Sequence, residues 1–309
     1  MNIAFIGVGG VGGYFGGKMA ELLKDTSVDF NLYFVARGAH LEQIRNNGLK
    51  LKTSDNGETI CNPTMATNNI NDLPQLDVCF ICVKQYDLDN CLKQLKDKVG
   101  KNTQIIPLLN GIDIYDRIRK VIKKGIVFPS CVYVGTHIEA PGVVSQSGGS
   151  CTIIFGKDPN NKEVEPRDVC NLMSKANIKF QWSENHIEEI WSKYIFIAAY
   201  GLVTASENKT LGKVFEDKEL SSKVLGIMNE IVSISKVEGV NLTEDIVEKS
   251  YNKARNFPYN TKTSFQRDFE RKVNRDEREL FGQTVIDLGK KHNISTPVVE
   301  NVYKKLSLI

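Results

Sequence analysis

The first seventeen residues constrain the fold of this chain more than any other stretch. They run Met1-Asn-Ile-Ala-Phe-Ile-Gly-Val-Gly-Gly-Val-Gly-Gly-Tyr-Phe-Gly-Gly17, so a short apolar run leads directly into G-x-G-x-x-G. The stretch from Gly10 to Leu23 can form a helix, which places the glycines at a strand-to-helix turn. In such a turn the first glycine permits the tight bend, the second admits a pyrophosphate and the third lets helix pack on strand. The pattern predicts a dinucleotide site rather than a glycine-rich turn without a ligand.

The helix that follows the turn adds to this prediction, because its first N–H groups and its dipole favour an anion. The residues expected to bind the dinucleotide through this turn are Gly7, Val8, Gly9, Gly10, Val11 and Gly12.

Length and composition narrow the remaining possibilities. A chain of 309 residues is long for one core and sufficient for two domains. The net charge of +3 gives no reason to expect nucleic acid, and no apolar run approaches the ~20 residues of a membrane span. The seven cysteines are an odd number, and no basic leader precedes the first strand, so we expect reduced thiols in the cytoplasm. The four histidines are scattered, and no metal is expected.

The end of the second predicted strand bears on the choice of cofactor. This strand covers residues 30–36 and is followed by Arg37. In dinucleotide folds an acid at this position accepts the 2′-hydroxyl of NAD, whereas an arginine accommodates the 2′-phosphate of NADP. Arg37 therefore favours NADPH, although a solvated arginine at a strand end is the alternative.

Two polar residues follow later predicted strands. Lys84 ends the strand 78–83, and Asn110 ends the strand 103–109. The carboxyl ends of the strands are where open α/β sheets bind ligands, so we expect both residues near the cofactor. The alternatives are a surface lysine and a turn residue ahead of Gly111. Further strands from Ile126 onward are expected to extend the sheet.

Strand signals stop near Glu184, and helical spacing of apolar residues continues to the end of the chain. The predicted fold is an α/β Rossmann-type dinucleotide-binding domain over residues 1–184, followed by an all-α domain over residues 185–309 that binds the substrate. The first long helix of the second part holds Lys193 among apolar residues. That lysine either extends its amine to water or lies beside a cleft as a proton donor.

Six short motifs in a fixed order carry a family resemblance. They are the glycine turn at Gly7, Lys84 after its strand, Asn110-Gly111, Glu189-Ile-Trp-Ser-Lys193, Thr263-Ser264 followed by Asp268, and Gly282 ahead of Ile294-Ser-Thr-Pro297. With them the chain resembles the ketopantoate reductase (2-dehydropantoate 2-reductase) family over nearly its whole length. The resemblance implies NADPH-dependent reduction of ketopantoate to pantoate in pantothenate and coenzyme A biosynthesis. The apolar positions of the last helices can pack against the first part of the chain or form the interface of a homodimer.

The same resemblance implies roles for individual residues. Lys193 would be the general acid, and Asp276, six residues before Gly282, would be its acidic partner. Asn110 would lie between cofactor and substrate, Lys84 near the cofactor and the polar end of the substrate, and Ser264 at the substrate carboxylate. Two of these residues have structural alternatives: Asp276 with Glu279 matches a capping box, and Ser264 matches the cap of a helix that begins at Phe265.

This sequence departs from the family at Asp276, where the family usually has a glutamate, and at two positions after the catalytic lysine. Where the family has asparagines one and two turns after the catalytic lysine, it has Ile197 and Gly201, although Tyr200, Thr204 and Asn208 are near enough to substitute. Three alternatives follow: reduction of a more apolar branched 2-oxoacid, a dinucleotide sensor without turnover, and an opine-type dehydrogenase. The last is disfavoured because no His-Asp pair is placed for its chemistry.

Overall fold

The computed structural model describes residues 1–25, 27–271 and 275–308, which divide into two compact units. Unit 1 comprises Met1–Asn110 and Ile114–His186 and holds the strands. Unit 2 comprises Gly111–Asp113 and Ile187–Ile309 and is helical.

Unit 1 alternates strands and helices along most of its length. Its strands are β1 (Asn2–Ile6), β2 (Asn31–Val35), β3 (Leu49–Thr53), β4 (Gly57–Cys61), β5 (Met65–Thr67), β6 (Leu76–Ile81), β7 (Val99–Pro107), β8 (Ile126–Val127), β9 (Ser130–Tyr133), β10 (Thr136–Ala140), β11 (Val143–Gln146), β12 (Thr152–Phe155) and β13 (Lys179–Trp182). Its helices are α1 (Gly10–Glu21), α2 (Gly38–Asn47), α3 (Gln85–Leu95), α4 (Ile114–Val121) and α5 (Arg167–Lys175).

The main sheet of unit 1 has six parallel strands in the order β5-β2-β1-β6-β7-β8. Parallel strands are covered on both faces, which explains why β1 and β6 are apolar along most of their length. Between these neighbouring strands Phe5 stacks on Phe80, with ring centroids 4.5 Å apart. The order β2-β1-β6 reverses direction beside β1, and such switch points bind ligands at the carboxyl ends of the strands. The predicted Rossmann-type architecture is confirmed.

The expectation that all strands after Ile126 extend this sheet is wrong. Of the described strands after Ile126 only β8 joins it, and the Val127 N–H on its outer edge donates to the Asp158 carboxylate at 3.0 Å instead of to another strand. Strand β9 then pairs with β12, and β13 completes a three-stranded sheet. Strands β10 and β11 join β3 and β4 in a four-stranded sheet.

Unit 2 consists of helices in the residues that the structure describes, which confirms the predicted all-α second part. They are α6 (His186–Glu207), α7 (Leu211–Glu216), α8 (Lys218–Val237), α9 (Ile246–Asn252), α10 (Ser264–Glu270), α11 (Thr284–His292) and α12 (Pro297–Leu306), with a π-helix over Glu279–Gln283. Helices α8 and α11 bury apolar faces centred on residues such as Ile227, Ile231 and Val285. No helix in the described ranges combines the length and apolar character that a bilayer crossing requires.

Candidate active site

The glycine turn after β1 has the geometry that a dinucleotide needs. Gly7 has φ +96°, a conformation that side chains other than glycine rarely adopt, and its N–H donates to the Val35 carbonyl at 3.0 Å. A Cβ on Gly12 would clash with the carbonyl oxygen of Gly7. A Cβ on Gly9, by contrast, would meet no atom within 4 Å. The first and third glycines are therefore required by the fold, and the second leaves open space beside the turn.

A cavity of about 340 Å³ in unit 1 has this turn as one wall. Its size falls in the range of small-molecule sites. It brings together five of the residues predicted to bind the cofactor, namely Gly7, Val8, Gly9, Arg37 and Lys84. Gly10, Val11 and Gly12 form the first turn of α1, directly behind the wall. A depression of about 550 Å³ in unit 2, lined by charged residues of α9 and the turn after it, contains none of the predicted residues.

Arg37 lies where the sequence places it, directly after β2, but it has an acidic neighbour. Its guanidinium Nη2 is 2.7 Å from Oδ2 of Asp87, a residue in the first turn of α3. The Arg37 side chain is 75% exposed and that of Asp87 only 17%. Both residues line the cavity. The cation expected to meet a 2′-phosphate is therefore paired with a carboxylate at the same site.

Lys84 and Asn110 each follow a strand of the main sheet, as predicted. Lys84 is the residue before α3, and its carbonyl accepts from the Asp87 N–H at 2.9 Å. Asn110 comes three residues after β7, immediately ahead of Gly111 with its φ of +129°. Lys84 lines the cavity, whereas Asn110 is not among its lining residues.

His40 is a cavity residue that the sequence analysis missed. Its Nδ1 accepts from the Gly142 N–H at 2.9 Å, which leaves the proton of the neutral ring on Nε2. Burial lowers the pKa of His40, and a backbone interaction with Val8 offsets part of that effect. The imidazole therefore links the glycine turn to the segment before β11. Its position three residues after Arg37 was the available signal, but a lone histidine in a helix carries little information.

In unit 2, Lys193 lies on α6, and the residues at helical spacing after it form one stripe. Ile197, Gly201 and Thr204 continue that face toward the carboxyl end of the helix. Lys193 and Ile197 are partly buried and Gly201 is buried. Phe265 packs beside Gly201, with its Cδ1 3.6 Å from where a Cβ would stand. The stripe after the lysine thus offers mainly apolar surface.

The polar side chains near this stripe already have partners. The Tyr200 hydroxyl donates to the Tyr251 carbonyl at 2.9 Å. The Thr204 hydroxyl donates to the Tyr200 carbonyl at 2.7 Å and lies 2.9 Å from the Thr263 hydroxyl. Asn208 follows the last residue of α6 with φ +49°. The Tyr200 and Thr204 hydroxyl protons are therefore engaged by backbone carbonyls.

Ser264 is exposed at the start of α10 and does not cap that helix. The cap is Thr263, whose side-chain oxygen accepts from the Gln266 N–H at 3.1 Å. The alternative role considered for Ser264 is therefore wrong. Because Thr263 also contacts Thr204, α10 begins against the stripe that starts at Lys193.

Asp276 lies in an ion pair ahead of the π-helix. Its carboxylate accepts from the Arg278 N–H at 2.9 Å and from the Arg278 guanidinium at 2.7 Å. The Asp276 carboxylate thus bonds the N–H of Arg278, two residues later, and the predicted capping box with Glu279 is not formed. The next residue, Glu277, is 4% exposed and was not singled out from the sequence. The π-helix over Glu279–Gln283 adds about one residue to the turn compared with an α-helix. Counting six residues back from Gly282 therefore does not distinguish Asp276 from Glu277 as the acidic residue of the site.

Comparison with known proteins gives the family. The model of the family described as "Ketopantoate reductase PanE/ApbA" matches residues 3–160, and that of its C-terminal part matches residues 185–309. The chain is 26% identical to "Uncharacterized oxidoreductase YkpB" of Bacillus subtilis, over 100% of this chain and 98% of that one. It is also 26% identical to a 2-dehydropantoate 2-reductase of Streptococcus pyogenes, over 100% and 99% of the two chains.

Solved structures show the same fold. A ketopantoate reductase of the PanE/ApbA family from Ralstonia eutropha aligns with TM-score 0.88 at 22% identity, covering 100% of this chain and 98% of that one. D-mandelate dehydrogenase, solved with NADH and anilino(oxo)acetate, aligns with TM-score 0.84 at 19% identity, covering 100% and 98%. The chain therefore belongs to the ketopantoate reductase family of oxidoreductases that act on CH–OH groups.

Proposed function

We propose that this protein uses NADPH to reduce a 2-oxoacid to the 2-hydroxyacid, with 2-dehydropantoate as substrate and pantoate as product. Residues 1–184 would bind the nucleotide and residues 185–309 the oxoacid. The observation that supports this most directly is the open space at Gly9, between two glycines that the fold itself requires. Arg37 at the same cavity supports the phosphorylated form of the cofactor.

Reduction of a ketone places negative charge on the carbonyl oxygen. NADPH, when bound, supplies the hydride. Lys193 would stabilise the developing alkoxide with its cationic amine and then give it a proton. Lys84 and Asn110 would hold the cofactor and the polar end of the substrate, and Ser264 would donate its hydroxyl to the substrate carboxylate. The apolar surround of Lys193 strengthens its effect on the alkoxide, because electrostatic interactions are stronger away from water.

We place the acidic partner of Lys193 in the turn that holds Asp276. Since its carboxylate already binds Arg278, Asp276 would act by fixing this turn, and Arg278 in turn donates to the Leu306 carbonyl at 3.1 Å. Glu277, the buried neighbour, is the second carboxylate that the turn presents.

Lys193→Ala tests the proton donor. Loss of a general acid should lower kcat by about 10²–10⁴-fold, with little change in the Kd for NADPH. The control is Lys209→Ala, because Lys209 is a partly exposed lysine of the same unit that pairs with Asp217 at 3.1 Å. Unchanged turnover in Lys193→Ala would remove this residue from the mechanism.

A second candidate substrate is a branched 2-oxoacid without a distal hydroxyl. It is favoured by Ile197 and Gly201 and by the hydrogen bonds that engage Tyr200 and Thr204. A substrate hydroxyl buried there without a partner would cost about 1–3 kcal/mol. The Phe257 ring, stacked on Phe196 of α6 at 5.7 Å and 44% exposed, adds apolar surface to this helix.

NADPH oxidation with ketopantoate and with 2-oxoisovalerate separates the two candidates. If the missing asparagines matter, the wild type should prefer 2-oxoisovalerate, and Ile197→Asn with Gly201→Asn should raise kcat/KM for ketopantoate about tenfold. The matched control is Ile197→Leu with Gly201→Ala, which adds no polar group. Higher wild-type kcat/KM on ketopantoate, lowered by the asparagine pair, would retain ketopantoate as the substrate.

A further inference from the structure

Arg37 and Asp87 line the cavity in unit 1 and present opposite charges to it. Arg37 follows β2, where dinucleotide folds read the adenosine ribose, and Asp87 reaches the same point from α3. The contact of 2.7 Å is a hydrogen-bonded ion pair. This site therefore holds both the kind of cation that binds the 2′-phosphate of NADP and the kind of acid that accepts the 2′-hydroxyl of NAD.

The two partners are not equally free to move. Asp87 is 17% exposed and sits in the first turn of a helix, whereas the Arg37 side chain is 75% exposed. The fixed member of the pair is therefore the anion, and the mobile one is the cation. A guanidinium has five N–H donors, so Arg37 can bind a phosphate while it keeps its contact with Asp87. A dianionic phosphate that enters would nonetheless approach a fixed carboxylate of the same sign.

We propose that Asp87 is a coenzyme-selecting residue that opposes the 2′-phosphate at Arg37 and accepts the 2′-hydroxyl of NADH, so that this protein uses both coenzymes. This inference rests on the proposed nucleotide function of the cavity. Arg37 alone favours NADPH, and Asp87 reduces that preference by charge repulsion. A carboxylate is also the acceptor that NAD-specific sites offer to the ribose. The pair thus allows one site to bind either the 2′-phosphate of NADPH or the 2′-hydroxyl of NADH.

The same helix contains a matched control. Asp89, two residues after Asp87, pairs with Arg117 at 2.9 Å, so it makes the same kind of contact with the same kind of partner. Its side chain is 64% exposed and it is not among the cavity-lining residues. Asp89→Asn therefore removes one charge from α3 without touching the cavity. Any effect of net charge or helix stability should appear in both variants.

Calorimetric titration of NADPH and NADH into the full-length protein tests the proposal. The wild type should bind both, with Kd values within about tenfold of each other. Asp87→Asn should raise the preference for NADPH about three- to tenfold, and a tenfold change corresponds to about 1.4 kcal/mol. Asp87→Glu, which keeps the charge, should restore a preference close to that of the wild type. Asp89→Asn should leave the preference unchanged.

Two results would overturn the assignment of Asp87. An unchanged preference in Asp87→Asn would show that the carboxylate does not read the ribose, and a shift toward NADH would show that it orients Arg37 for the phosphate instead. Asp87→Ser provides a second neutral variant if the asparagine protein does not fold. Failure of the wild type to bind either nucleotide would instead overturn the proposed function itself.

Discussion

At the scale of single residues, His40 shows how the cavity keeps an ionisable group neutral. The Gly142 N–H points at Nδ1, so this nitrogen must accept, and protonation would break the bond. Burial acts in the same direction and lowers the pKa of the ring. The neutral imidazole is therefore part of how the segment before β11 is held against the glycine turn.

The pH dependence of the free energy of unfolding should reveal the lowered pKa of native His40. The unfolded chain takes up the proton near pH 6.5, the ordinary histidine value, whereas native His40 takes it up only at lower pH. Protons therefore favour the unfolded state below about pH 6.5, and stability falls there as the pH decreases. His40→Asn keeps an acceptor for Gly142 but does not titrate. Urea unfolding between pH 5 and 7 should show a smaller loss in this variant, by at most about 1.4 kcal/mol per pH unit. Parallel curves for the two proteins would contradict it.

At the scale of elements, the strand-turn-helix from β1 to α1 separates glycines that the fold requires from one that we propose binds the nucleotide. Gly9 has a negative φ of −95° and open space where a Cβ would stand. Gly12 has the Gly7 carbonyl there instead. The two positions are three residues apart, yet an alanine should lower stability at Gly12 and nucleotide affinity at Gly9.

Gly12→Ala should lower the free energy of unfolding by about 1–3 kcal/mol, the usual range for overpacking. Gly9→Ala should change it by less than about 1 kcal/mol but weaken NADPH binding at least tenfold, because the methyl group occupies the space of the pyrophosphate. Denaturant unfolding and nucleotide titration on both variants measure the two effects. Equal loss of stability in both would mean that Gly9 too is a packing glycine.

At the scale of the whole molecule, nucleotide binding should stabilise the native chain by mass action. At a concentration 100 times its Kd, NADPH should add about 2.7 kcal/mol to the free energy of unfolding of the part that binds it. Thermal unfolding with increasing NADPH checks this, and Gly9→Ala should show a much smaller rise in melting temperature. A rise of equal size in the two proteins would place the nucleotide away from the glycine turn.

The fold was predictable where one local pattern decides it. The glycine turn and the apolar strands on either side of it predicted the parallel sheet, because each needs only neighbouring residues to be recognised. The pairing of the later strands was not predictable in this way, since whether β9 to β13 pair with the main sheet depends on residues far away along the chain. Val144 of β11, for example, pairs with Leu51 of β3, which lies far earlier in the chain.

The sequence by itself determined the dinucleotide turn, the helical second part and the family to which the chain belongs, because these depend on spacing along the chain. Only the tertiary structure decided which neighbours each candidate site residue has. It paired Arg37 with Asp87, put His40 beside the glycine turn, moved the helix cap from Ser264 to Thr263 and bound Asp276 to Arg278. The physical reason is that charge and hydrogen bonding act over a few ångströms in space, and the residues within that distance come from separate elements of the fold.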